Sequence, residues 1–236
     1  DSGQLGDGTT TNRNAPVFFS GLGSAVVAIS VGASHTCALT ASGAVKCWGR
    51  NSDGQLGDGT NTDRTSPVDV LGLTSGAIGI AAGLDHTCAL TTGGGAKCWG
   101  NNLSGALADG TNVSRNSPAD VSGLTAGLTR LSAANGRTCA LTVAGGVKCW
   151  GRNTDGQLGD GTTTNRTLPV APLEMGSGVV GLSAGKSHTC IGMRAGGVKC
   201  VGTNVNGQLG DGTTTRRLTA VVVGGLSTGM AQVSLG

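Results

Sequence analysis

The chain has no tyrosine, and its whole aromatic complement is two phenylalanines and three tryptophans in 236 residues. It therefore lacks the rows of aromatic faces on which single-stranded nucleic acid stacks. Charge is scarce as well. Sixteen Lys and Arg against thirteen Asp and Glu leave a net +3, scattered along the chain. That is too weak and too dispersed for the electrostatic footprint of a nucleic-acid surface, so no nucleic-acid partner is expected. No apolar run reaches bilayer length, which speaks against membrane insertion by a helix. Nor does any segment carry an apolar stripe at helical spacing. Five prolines among 45 glycines, without a strict triplet, exclude collagen.

What the chain has in abundance is repetition. GQLGDGT stands at Gly3, Gly54, Gly156 and Gly207, with a worn copy, GALADGT, at Gly105; each step is 51 residues. HTC and RTC place Cys37, Cys88, Cys139 and Cys190 in the same frame, and KC places Cys47, Cys98, Cys149 and Cys200. A fixed period of this length marks a repeat architecture whose units bury their apolar faces only by stacking. Residues 1–236 read as one repeat domain with frames beginning at 3, 54, 105, 156 and 207.

Within a unit, SPVDV, AIGIAAG, HTCALT and AKCWG are short, β-favouring runs bounded by glycine or polar residues, which reads as four strands. The fold class is all-β. If Cys37 faces Cys47, then Leu39 pairs with Val45, and Ala41-Ser42-Gly43 closes a three-residue turn whose last residue is left-handed, a place for glycine. Glycine recurs there as Gly94, Gly145 and Gly196. Facing cysteines at that register read as four disulfides: Cys37–Cys47, Cys88–Cys98, Cys139–Cys149 and Cys190–Cys200. Reduced thiols are the competing reading, and zinc is disfavoured because no C-x2-C knuckle is present. Disulfides imply an extracytoplasmic compartment, extracellular or at the cell surface.

The string GASHTCALTxxGxVKCWGRN, followed by DGQLGDGT and a Pro-Val strand, resembles regulator of chromosome condensation repeats, especially bacterial members with a cysteine pair. The resemblance recurs in every frame. It implies a β-propeller, usually of seven four-stranded blades, of which about four and two-thirds repeats are present. Five glycine segments but four hairpins then suggest part of a longer, seven-bladed chain.

Function is less legible. Histidine recurs as His35, His86 and His188, with Arg137 in the third frame; equivalent copies beside cysteines read as structural, not catalytic, and no enzyme is expected. Trp48, Trp99 and Trp150 read as wedges between blades, with sugar-binding aromatics as the lesser alternative. Asp58 and Arg64, with their counterparts six residues apart in every frame, read as a turn-closing pair. Asn51, Asp53, Gln55 and Asp58 bring oxygens together, which makes calcium the cofactor to consider, although the spacing is not that of an EF-hand and no other cofactor is expected. Sequons stand at Asn102, Asn112 and Asn165. Positions that break the repeat point best to a binding face: Arg50, Asn101, Arg152, Arg137 and Lys186. These suit a protein or glycan partner of a secreted scaffold. A structural subunit of an extracellular filament, built by homo-assembly, is the first alternative, and a guanine-nucleotide exchange regulator the second.

Overall fold

A computed structural model describes residues 2–226 and 233–235. Among the described residues, sixteen strands form four antiparallel sheets of four strands each, in simple sequential order. The first blade contains β1 (Val26–Val31), β2 (His35–Thr40), β3 (Val45–Gly49) and β4 (Arg64–Asp69). The second contains β5 (Ala77–Ala82), β6 (His86–Thr91), β7 (Ala96–Gly100) and β8 (Arg115–Asp120). The third contains β9 (Leu128–Ala134), β10 (Arg137–Thr142), β11 (Val147–Gly151) and β12 (Arg166–Val170). The fourth contains β13 (Val179–Ala184), β14 (His188–Met193), β15 (Val198–Gly202) and β16 (Arg217–Val222).

The hairpin follows the register expected from the sequence. Cys37 pairs with Cys47, Ala38 with Lys46 and Leu39 with Val45. The turn glycines Gly43, Gly94, Gly145 and Gly196 have φ of 78°, 74°, 74° and 90°. All four disulfides are present, with Cα–Cα distances of 4.1 Å. The blade boundary differs from the sequence frame. The Pro-Val strand that follows GQLGDGT pairs with the preceding KCWG strand, as Cys47 with Val68, and so closes its own blade instead of opening the next. The glycine segment is thus a long link inside one blade.

Strand alternation sends the cysteine, leucine and valine side chains of the hairpin into the gap between blades. One core cluster joins Cys37, Leu39, Val45 and Cys47 of the first blade to Ala89 and Trp99 of the second, with Leu56 and Leu73 from the connections. The next clusters repeat this composition one blade further on. The apolar cores therefore lie between blades, as a stack of units too thin to be self-sufficient requires.

The path of the chain sorts its connections onto two ends. The β1–β2 turn and the β3–β4 link lie at one end of a blade, while the hairpin turn and the link to the next blade lie at the other. Every repeat-breaking position singled out in the sequence falls at the first end.

Candidate functional site

The glycine link is organised around a buried asparagine. Asn51 donates from Nδ2 to Asp58 Oδ1 at 3.1 Å and to the carbonyls of Thr60 and Thr62 at 3.0 and 3.1 Å. Its Oδ1 accepts from the Leu56 amide at 2.9 Å. Asn102 and Asn204 do the same for their links, and Asn153 bonds Asp160, the Thr162 carbonyl and the Leu158 amide. Arg64 donates to the second oxygen of Asp58 at 2.8 Å. Burial by itself raises the Asp58 pKa, but donors from Thr60, Arg64 and Asn51 outweigh it and hold the carboxyl below its usual range. The centre of the link is thus occupied by an amide N–H donor group. From the sequence alone Asn51 counts only as an oxygen donor to a cation.

Each link is keyed into the following blade. The Gln55 carbonyl accepts from Thr87 Oγ1 at 2.9 Å and from Trp99 Nε1 at 3.0 Å. Gly57 lies under the indole, where a Cβ would come within 2.7 Å of Trp99 Nε1. Because Thr87 donates to that carbonyl, it accepts from His35 Nε2, 2.9 Å away, which fixes a neutral tautomer with Nδ1 unprotonated. His86 makes the equivalent contact to Thr138 at 2.8 Å. Burial lowers the pKa of His35 to about 4 and that of His86 to about 3. In the third blade Arg137 stands in place of histidine. It is fully buried and donates to the carbonyls of Gly185, His188 and Lys186 in the fourth blade.

Above these joints the β1–β2, β5–β6, β9–β10 and β13–β14 turns come together. Val31 to Ala33, Ala82 to Leu84, Ala133 to Asn135 and Ala184 to Lys186 line an open cavity of about 490 Å³. A second arc stands behind it. The amides of Arg50, Asn101, Arg152 and Thr203 donate to the carbonyls of Ser34, Asp85, Gly136 and Ser187 at 2.8–2.9 Å. The two sets of repeat-breaking positions are therefore neighbours on one surface.

The regulator of chromosome condensation (RCC1) repeat profile matches residues 1–39, 42–90 and 144–191, more than half of the chain. The chain belongs to the regulator of chromosome condensation repeat family. A second profile of the same description matches residues 26–55, 77–106 and 130–157. Among curated proteins it is 34% identical over 198 residues to the Ultraviolet-B receptor UVR8 of Arabidopsis thaliana, covering 82% of this chain and 45% of that protein. It is 33% identical over 205 residues to the probable E3 ubiquitin-protein ligase HERC4 of Homo sapiens, covering 85% of this chain and 19% of that protein. The chain spans less than half the length of these relatives. Human WBSCR16 superposes with a TM-score of 0.81 at 23% identity, covering 94% of this chain and 60% of that one. Yeast RCC1 (Prp20), solved bound to Kap60, superposes at 0.75 and 20% identity, covering 88% and 50%. At these identities the likeness shows the fold, an RCC1-type β-propeller.

On this RCC1-repeat scaffold the expected site residues separate into two groups. Arg50 and Lys186 are exposed, and Asn101 and Arg152 half-buried, at the axial end. Arg137 is withdrawn from the binding face, because its guanidinium is buried and committed to three main-chain carbonyls. The face is also less basic than its arginines suggested. Asp53 accepts from Asn101 at 2.8 Å, and Asp85 lies near Arg50 and Asp53, its pKa raised by burial. The tryptophans are no sugar platform: all three are buried with their N–H groups bonded to carbonyls. The Asn102 sequon is likewise buried and fully bonded, whereas Asn112 and Asn165 are exposed.

Proposed function

We propose that this RCC1-repeat propeller is an extracytoplasmic, non-catalytic scaffold that binds a protein through the axial end of its blades. The carrying observation is the convergence of the repeat-breaking residues, from turns and links far apart in sequence, on that one end. Architecture requires no variation there, and loops held by a rigid scaffold are where binding usually resides. The disulfides support the compartment, since four cross-links in one chain are suited to an oxidising environment. A non-catalytic role is supported by the histidines: His35 and His86 are buried, neutral and bonded between blades, so neither is positioned to serve as a base. A protein is favoured over a glycan because the tryptophans are enclosed.

Capture from native surroundings with the immobilised chain tests the reading. A protein partner whose binding weakens when Arg50 and Arg152 are both replaced by asparagine supports it. Capture that is indifferent to every substitution at the axial end overturns it. Mass spectrometry with and without reductant tests the compartment; free thiols in protein purified from its native source would remove that argument.

A further inference from the structure

The second blade carries three exposed aliphatic residues at its axial end, more than the same positions hold in any other blade. Leu84, Leu103 and Val113 are 45%, 73% and 65% exposed. The same frame positions hold Ala33, Ser52 and Thr62 in the first blade, Asn135, Thr154 and Thr164 in the third, and Lys186, Val205 and Thr215 in the fourth, where the exposed Val205 stands alone. A chain of short contacts joins the three. Asn101 N donates to the carbonyl of Asp85, next to Leu84; Leu103 N donates to Asn101 Oδ1 at 3.1 Å; Asn112, next to Val113, donates to the Leu103 carbonyl at 3.0 Å. Three exposed aliphatic side chains thus stand on neighbouring backbone segments, an aliphatic stripe at one end of the blade.

Two arginines flank the stripe. Arg50 of the first blade donates from its amide to the Ser34 carbonyl at 2.8 Å, and Ala33, next to Ser34, donates to the Leu84 carbonyl at 3.2 Å. Arg152 lies beside the link of the second blade, since its Cβ and Ser104 Oγ bound the same space over Gly136 at 3.7 and 3.8 Å. Each uses Nε to donate to a hydroxyl, Ser52 or Thr154, and neither forms an ion pair among the described residues. Their terminal amino groups are left to recognise a carboxylate from outside.

We infer that the top of the second blade, Leu84, Leu103 and Val113 between Arg50 and Arg152, is the docking site for a peptide segment of a protein partner that carries aliphatic residues flanked by Asp or Glu. The inference rests on the binding-scaffold reading above and names its site. Aliphatic side chains supply the buried contact, and the arginines select acidic flanks and reject basic ones.

The test borrows residues from sister blades, so that folding is preserved. L103T with V113T installs what the third blade carries, and R50N with R152N installs what the second blade carries. A phage-displayed random dodecapeptide library is selected on the immobilised chain, and enriched peptides are measured by fluorescence polarisation. The expected result is enrichment of peptides pairing aliphatic with acidic residues, whose affinity falls about tenfold for L103T/V113T and falls with a reduced salt dependence for R50N/R152N. T164V on the third blade, whose side chain holds neither arginine, leaves affinity unchanged. No enrichment, or peptides whose binding survives both double variants, overturns the inference. Self-association that sedimentation shows to be abolished by L103T/V113T assigns the stripe to a second copy and overturns it also. A native partner retained by all these variants removes this site but leaves the scaffold reading standing; no native protein partner at all removes that reading too.

Discussion

At the scale of the residue, the histidines carry a pH dependence with a definite sign. His35 and His86 bind protons more weakly folded, at about 4 and about 3, than in the unfolded chain, near 6.5. The unfolded state therefore takes up protons first as pH falls. Stability is full above about 6.5 and declines below it until the folded pKa is passed, by about 1.4 kcal/mol per pH unit for each histidine in mid-window. Urea titrations between pH 7 and 4.5 should show this slope, and H35Q with H86Q should flatten it; an unchanged slope would show that other groups are responsible. The Asp58 type of carboxyl, held low by its donors, adds to the loss only below about pH 4. A second prediction concerns Ala108, which occupies a glycine position of the link with φ of 53°. A108G should stabilise the chain by about 0.5–1 kcal/mol by relieving a left-handed alanine, against the entropy that glycine adds to the unfolded state. The converse change, G57A, should cost about 2 kcal/mol or more, because its Cβ would meet Trp99 at 2.7 Å. Part of this logic was open to reading. The glycine three residues before each histidine (Gly32, Gly83, Gly185) becomes Ala134 where the histidine becomes Arg137. The structure gives the reason: a Cβ at Gly83 would lie 2.2 Å from the His86 ring.

At the scale of the element, the hairpins were legible in detail and the links were not. Cysteine spacing and the turn glycine gave the register of Cys37 with Cys47, because a tight turn leaves few ways to pair two short strands. The frame could not say that the Pro-Val strand belongs to the preceding sheet, since strand pairing across a 14-residue link between Gly49 and Arg64 leaves no local signature. The central role of Asn51 was missed for a similar reason. Its regular recurrence two residues after the glycine of WG or VG was visible, but its partners, twelve residues downstream at the farthest, appear only when the link is folded. That role is testable: N51A should destabilise by about 3 kcal/mol, because it removes one acceptor and strands several buried polar groups at once. A change below about 1 kcal/mol would mean that water replaces the amide. Removal of one disulfide, as C88A with C98A, should cost about 2–3 kcal/mol. By hydrogen exchange the loss should be concentrated in the second blade and its two neighbours.

At the scale of the whole molecule, fold and function were readable to different degrees for one physical reason. A repeat writes its architecture several times over, so that chance variation is averaged away and the period survives. A binding face is written once, in the residues that break the pattern, and adjacency among those residues is not a property of sequence. Arg50, Asn101, Arg152 and Lys186 stand out as breaks in the pattern, whereas Leu103 and Val113 read as ordinary aliphatics in a loop. Arg137 was misplaced because a buried arginine and a surface arginine look alike until their carbonyls are known. The joints also have a direction. The carbonyl of Gln55 waits for the hydroxyl and indole of the blade that follows, and the same holds for Ala106 with Trp150 and for Gln157 with Thr189. A chain emerging from the ribosome with its N-terminus first cannot complete a blade's long link until the next hairpin has been made. In order of synthesis, each hairpin supplies the donors that satisfy the segment made before it.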